Sequence, residues 1–396
     1  MLGLAGGPGA GQEITRTTPI DDLPRPGYEP RTIRTNGFII APAVDIGVRY
    51  DNNIFATPSA ERSDTIFRLS PSVVARKETA SSLLYGRAYG DLYRYADNPR
   101  ENMTAFGGKI DYRRTLGRQS VSGKLAYDRA FERRSDPEAI FGQSRRPARI
   151  DVMSGELEFA HQGGRIGIAA AVGAIRLNYL ALEDADRDMV TYTARLKGSV
   201  NLSQRVAVFA QPFFNYRDPR LRFDRFGIDR TTRTYGVTSG LSVDIADRLT
   251  GEVGVGLFRA DPRDPSLRAY TGVAASGQMT WRPRTRTAIS LDLFRGDVAT
   301  IRNGAMGRID TRFNINIDQE ARHNLILRGS AGYRKVQYRG GSNVDQHYLS
   351  AEASALYLLN RHMSLELGGV RTKRKSDNAL EEFGKWQAFA KLGLRY

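Results

Sequence analysis

LNRHMSLELG, residues 359–368, is a short polar turn followed by strict alternation, with Met363, Leu365 and Leu367 on one side and Ser364 and Glu366 on the other. A period of two is the pleat of a strand whose two faces meet different surroundings, one apolar and one polar. The same device recurs along the chain. In DMVTYTARLKGSVNL (188–202), Val190, Tyr192, Ala194, Leu196, Val200 and Leu202 fall on one face and Arg195, Lys197, Ser199 and Asn201 on the other. In TRTAISLDL (285–293), Thr287, Ile289, Leu291 and Leu293 oppose Arg286, Ser290 and Asp292. A helical period would mix these sets.

Marking every such segment predicts eighteen strands, at 38–50, 64–76, 82–96, 102–115, 119–132, 148–161, 165–179, 188–202, 205–217, 231–245, 248–260, 267–281, 285–296, 305–317, 322–337, 345–359, 362–373 and 384–396. Their connections alternate in length. Short polar turns such as RKETA (76–80), LGRQ (116–119), HQGG (161–164) and LNRHM (359–363) follow every second strand. Between them lie longer loops: NNIFATPSAERS (52–63), ERRSDPEAIFGQSRRPA (132–148), RDPRLRFDRFGIDR (217–230) and RTKRKSDNALEEF (371–383). All the long connections would then sit at one end.

Composition narrows the class. Of 396 residues only 40% are hydrophobic, and no uninterrupted apolar run approaches the ~20 residues of a membrane helix. A membrane protein built of helices is excluded. Cysteine is absent, so neither disulfides nor a thiolate metal site can form. The formal net charge of +16 favours anionic partners without choosing among them.

These features together predict an all-β fold: a transmembrane antiparallel β-barrel of about 18 strands, with short periplasmic turns and long extracellular loops. Lipid cannot satisfy backbone N–H and C=O groups, so a spanning sheet must close and leave no edge. Its outer face must be apolar, while its inner face can be polar. Met363, Leu365 and Leu367 would face lipid; Ser364 and Glu366 would face the lumen. The last segment, FGKWQAFAKLGLRY (383–396), places Trp386, Ala388, Ala390, Leu392, Leu394 and Tyr396 on one face and ends on an aromatic residue. It resembles the C-terminal signal by which outer-membrane barrels are recognised for insertion.

Ahead of the barrel, residues 1–12 (MLGLAGGPGAGQ) read as the tail of a signal peptide, with the mature chain expected to begin near Gly11 or Gln12. Residues 13–36 contain four prolines and no periodicity, which predicts an extended periplasmic segment that tethers the barrel or lines its mouth. The barrel is expected over 37–396.

The run RPGYEPRTIRTNGFIIAPAVDIGVRYDNNIFAT (25–57), with GVRYDNNIFAT (47–57), SDTIFRLSPSVVAR (63–76) and YLLNRHMSLELGGVR (357–371) in order, resembles the outer-membrane β-barrel porins associated with exopolysaccharide and surface-attachment loci. The resemblance spans roughly residues 25–396 and is most specific in the first 75. It implies an outer-membrane channel of a Gram-negative bacterium tied to surface-polysaccharide secretion. It carries over no functional residues.

Alternation assigns Arg49, Arg94, Lys109, Arg113, Lys124, Arg195, Lys197, Arg308, Asp310, Arg312, Arg328, Lys391 and Arg395 to the lumen. An open pore so lined would prefer anions or an acidic polysaccharide. The competing reading is that these charges pair across strands and brace the wall; Arg308, Asp310 and Arg312 on one strand illustrate both. Outside, Arg220, Arg222, Phe223, Arg225 and Phe226 form a basic, aromatic loop that could grip sugars or phosphates, or simply bridge to neighbouring loops.

No catalytic, cofactor or metal site is expected. His362 and Ser364 share a face, but that face is the lumenal one, and a hydrolase would also need an orienting third group and an oxyanion hole. His161, His323 and His347 lack ligand spacing. Expected partners are outer-membrane lipid and lipopolysaccharide, with a polysaccharide or secretion-machinery proteins beyond them. Nucleic acid is disfavoured because the positive charge is dispersed. Oligomeric state is not legible, since an interface between barrels looks like any other apolar wall. A closed adhesion scaffold is the alternative to a channel.

Overall fold

The structure is a computed structural model that describes residues 20–396 apart from 21, 22, 24, 140–144, 246, 247 and 341–343. Nineteen strands are present among the described residues. They are β1 (Ile33–Thr35), β2 (Phe38–Asp51), β3 (Asp64–Glu78), β4 (Ser82–Tyr95), β5 (Met103–Leu116), β6 (Gln119–Phe131), β7 (Arg149–Gln162), β8 (Ile166–Tyr179), β9 (Met189–Asn201) and β10 (Val206–Pro219). They continue with β11 (Thr232–Ile245), β12 (Leu249–Pro262), β13 (Tyr270–Arg284), β14 (Thr287–Val298), β15 (Ala305–Arg322), β16 (Leu325–Gly340), β17 (Asp345–Leu358), β18 (Met363–Ser376) and β19 (Phe383–Arg395). From β2 onward each strand pairs antiparallel with the next, and β19 returns to β2 over Gln387↔Asp51 to Arg395↔Ala43. That last pairing closes a ring of eighteen strands.

Every expected span corresponds to one observed strand. The largest departure is β15, which runs to Arg322 rather than to 317 because its ladders with β14 and β16 continue through a bulge between Glu320 and Arg322. The turn shrinks to His323 and Asn324. Residues 1–19, including the expected signal remnant, lie outside the described residues.

The register sorts the side chains into two sets. Outward Ile46, Val48, Leu157, Val172 and Leu257 expose between 39% and 64% of their surface, which a water-soluble wall would not tolerate around a complete ring. On β12 the outward positions from Leu249 to Leu257 are apolar or glycine before Arg259 interrupts them. Nine residues tilted at ~40° rise roughly 20 Å, close to the height of the apolar band of an outer-membrane barrel. Aromatic side chains mark its borders: Tyr50 and Trp386, with ring centroids 5.1 Å apart, at the loop end, and Trp281, Tyr357 and Tyr396 near the turns.

One part of the wall leaves the cylinder. The β13–β14 ladder stops at Ala275↔Arg295, whereas β14–β15 continues to Val298↔Arg308 and β15–β16 to Ala305↔Gly340. Above the split the tops of β14 to β16 bend into the lumen. Asp297 shares the outward parity of Arg295, yet its carboxylate accepts hydrogen bonds from Arg217, Thr234 and Tyr270, all on inner faces of β10, β11 and β13. Opposite it, Ile309 is fully buried against Phe258, Ala260 and Ala274. Gly307 permits this contact, because any Cβ there would overlap the Tyr270 ring.

At the opposite end, β1 folds back on β2 through a two-residue turn in which Asn36 and Gly37 both have positive φ, the pattern of a type I′ hairpin. Before it, Ile20, Leu23 and Tyr28 pack on Ile326, Leu356 and Leu358 of the inner wall. Arg25 pairs with Glu320 at 3.2 Å, both side chains being almost fully buried. The described part of the leading segment thus lies inside the periplasmic mouth, against β15 to β17.

Candidate functional site

The 132–148 loop joins β6 to β7, nine strands from β15 and β16, which is half of the eighteen-strand ring. Its described residues nevertheless touch that far wall. The Glu138 carboxylate accepts hydrogen bonds from Arg308 Nη1 at 2.8 Å and Thr300 Oγ1 at 2.8 Å, and the Tyr338 hydroxyl donates to the Pro137 carbonyl at 3.1 Å. Arg308 is completely buried; its Nε also lies 3.2 Å from Asp310, which in turn pairs with Arg334 at 2.5 Å. On the near side, Arg134 holds Glu101 through two hydrogen bonds of 3.1 and 2.6 Å, and Arg187 holds Glu132. The loop therefore spans the bore and is fastened at both walls by buried ion pairs.

Other connections reinforce it. In the β18–β19 loop the Glu381 carboxylate accepts from Arg302 at 2.6 Å and Gln346 at 2.5 Å, and its carbonyl accepts from Arg374. Arg374 and Arg302 lie over the rings of Phe383 and Tyr338 at 4.8 and 4.6 Å. Burial works against ionisation of Glu381, but hydrogen bonds from Arg302 and Gln346 and the charges of Arg302 and Arg374 more than offset it and hold the carboxyl below its ordinary range. For a depressed carboxylate, the stabilisation is present above the unfolded value and is lost as pH falls through the folded one. We expect the 377–382 segment to resist limited proteolysis at pH 7 and 5 and to become cleavable only below about pH 4. Equal cleavage across that range would contradict the latch.

At and below the constriction the inner wall carries all but one of the charges that alternation assigned to it. Arg49, Lys109, Arg113, Lys124, Arg195, Lys197, Arg308, Asp310, Arg312, Arg328, Lys391 and Arg395 all occupy inward register positions. Many pair across strands: Lys124 and Arg195 with Glu156 at 3.5 and 2.5 Å, Lys197 with Glu252, Lys391 with Glu366 at 2.6 Å, and Arg328 with Glu366 at 3.5 Å. Lys109 faces Asp111 at 3.4 Å. Arg49, Arg87 and Arg312 reach no carboxylate within ion-pair distance among the described residues; each lies against an aromatic ring instead, Phe389, Tyr89 and Phe294 respectively.

Arg94 is a correction. It pairs with Phe67, which is 54% exposed on the outer wall, and its guanidinium bonds the backbone carbonyls of Tyr93 and Met103. Alternation misplaced it because β4 has apolar residues on both sides, Leu84 and Leu92 outward and Tyr85, Tyr89 and Tyr93 inward. Only the register with β3 separates them.

In the 217–230 loop, Arg220 pairs with Asp188 at 3.0 Å and Arg225 with Asp186 through two bonds of 2.7 Å, so both bridge to the β8–β9 loop. Arg222 stacks on Phe223 at 5.2 Å, and Phe223 and Phe226 stay half-exposed. His362 and Ser364 do not meet: His362 Nδ1 lies 3.1 Å from the Arg395 carbonyl, while Ser364 is buried beside Gly393. No group of three potential metal ligands occurs among the described residues. Sequence reasoning missed Glu138, Thr300, Asp297, Tyr338 and Glu381. The unusual length of the 132–148 loop was visible, but nothing in it says which wall it meets.

A closed eighteen-strand barrel with an apolar exterior, a charged interior and a loop across its bore defines a porin-like outer-membrane β-barrel channel. Over residues 25–396 the chain matches the family described as "Putative beta-barrel porin 2", and it belongs to that family. Among solved structures it is similar in fold to a BenF-like porin from Pseudomonas fluorescens Pf-5, at 12% identity, covering 90% of this chain and 99% of that one with a TM-score of 0.46. The outer membrane protein OpdK from Pseudomonas aeruginosa is similar at 11% identity, 90% and 99% coverage and a TM-score of 0.46. The FrpB iron transporter from Neisseria meningitidis (F3-3 variant) is similar at 11% identity and a TM-score of 0.44; 88% of this chain is covered, but it spans just under two thirds of that protein, 66%. No curated protein matches the chain.

Proposed function

We propose that the chain is a constricted diffusion channel for small anionic solutes, with the 132–139 part of its loop as the narrowest element. The observation that carries this reading is the Glu138 carboxylate, held by Arg308 on the wall opposite the loop's own strands and by Thr300 in the β14–β15 connection. An exopolysaccharide conduit would need that bridge withdrawn, which favours small solutes over a polymer. The preference for anions rests on the wall charges. Most cations are neutralised by cross-strand carboxylates, and Arg49, Arg87 and Arg312 supply the positive excess.

In planar bilayers the purified chain should give small, stable conductance steps with a reversal potential on the anion side under a salt gradient. Replacing Arg49, Arg87 and Arg312 together by glutamine should lower the anion-to-cation permeability ratio at least twofold while heat-modifiable migration stays normal. An unmoved reversal potential would remove the anionic part of the proposal. Folded protein without conductance would instead favour a surface scaffold, for which the half-exposed Phe223 and Phe226 and the exposed Leu182, held together by Arg225, are the supporting observation.

A further inference from the structure

At its loop end the outer wall carries charge of both signs, with Asp151, Asp261 and Asp345 also at outward positions. Near the loops, outward positions that continue the apolar rows become cationic, as at Arg94 on β4, Arg176 on β8 and Arg259 on β12. Near the turns, outward cations such as Lys77 and Arg114 are scattered among Leu116, Val121, Ile166 and Leu249. The densest stretch is on β18, where Arg371, Lys373 and Lys375 occupy three successive outward positions, all exposed. None of the three lies within ion-pair distance of a carboxylate among the described residues.

The neighbours of this ladder complete a surface. Arg371 stands between Ala351 and Trp386, Lys373 between Leu349 and Gly384, and Lys375 beside His347. Directly below Arg371 the next outward row is Ala353, Gly369 and Ala388, a shallow strip across three strands bordered by the exposed Leu367 and Trp386. The cations span about 13 Å along the strand, comparable to a disaccharide, and they stand where the apolar band ends. Three cations at that boundary, with no carboxylate in ion-pair distance among the described residues, call for an anion with apolar chains attached. A free phosphate would gain nothing from the strip, and a second copy of the same face would set like charges against each other.

We infer that the β17–β19 outer face binds a phosphorylated glycolipid of the outer leaflet, its sugar phosphates on Arg371, Lys373 and Lys375 and one acyl chain along Ala353, Gly369 and Ala388. The assignment rests on the barrel fold and not on what the channel conducts. It is tested on the full chain in detergent by native mass spectrometry with bis-phosphorylated lipid A, its dephosphorylated analogue and phosphatidylglycerol. A Trp281→Phe background leaves Trp386 as a fluorescent reporter beside the site.

The expected result is retention of the bis-phosphorylated lipid, at least tenfold weaker in R371Q/K373Q/K375Q, with a Trp386 emission shift that only the phosphorylated glycolipid produces. Gly369→Leu, which fills the strip and keeps every charge, should also weaken retention severalfold, and it preserves the test if the triple variant does not fold. Equal retention of the phosphorylated and dephosphorylated lipids, or undiminished binding by folded variants, would overturn the inference. So would phosphatidylglycerol held as tightly as the glycolipid.

Discussion

Truncating Glu138 to alanine should raise single-channel conductance at least twofold, because it removes the group by which the 132–148 loop is tied across the bore. The folding cost should be modest, about 1–3 kcal/mol, since Arg308 keeps Asp310 at 3.2 Å as a counter-charge. Arg308→Ala should open the channel similarly but cost more, about 3–5 kcal/mol, because it strips a fully buried cation from two carboxylates at once. The double variant should be no less stable than Arg308→Ala alone, as both changes delete the same contact. Conductance unchanged in folded Glu138→Ala and Arg308→Ala would show that the loop does not set the narrowest point.

Asp297→Ala should release the inward-bent tops of β14 to β16. Its carboxylate gathers Arg217 at 2.6 Å, Thr234 at 2.7 Å and the Tyr270 hydroxyl, and the side chains of Asp297 and Arg217 are both almost fully covered. Losing it leaves a buried guanidinium without its counter-charge, a cost of about 3–5 kcal/mol. The loss is local, because the β13–β14 ladder below Ala275↔Arg295 does not depend on it. Hydrogen exchange should accelerate at least tenfold over 296–310 and remain slow over 287–295. Asp297→Asn, which keeps an acceptor but no charge, should fall between. Uniform exchange across both segments would mean that the bend is held by the Ile309 packing rather than by this carboxylate.

The strand pattern was legible because lipid imposes one rule on every strand: each second side chain must be apolar. That rule places Met363 and Leu367 outward and Ser364 and Glu366 inward, as the β17–β18–β19 register has them. It also separates Lys197 from Leu196 and Lys391 from Leu392. Where both sides of a strand carry apolar residues, as on β4, the rule loses its contrast and Arg94 goes to the wrong face.

The sequence by itself determined the ring, its strand number and nearly every side chain's direction, because alternation is a local property written into each ten or so residues. Only the tertiary structure decided that Glu138 meets Arg308 from half a circumference away, that Asp297 turns inward against its own parity, and that the β18 cations stand above a row of small residues. Those contacts join residues up to 170 positions apart, and closure of the barrel is what brings them together. Pairwise electrostatics of that kind depends on distance in space, and no periodicity along the chain encodes it.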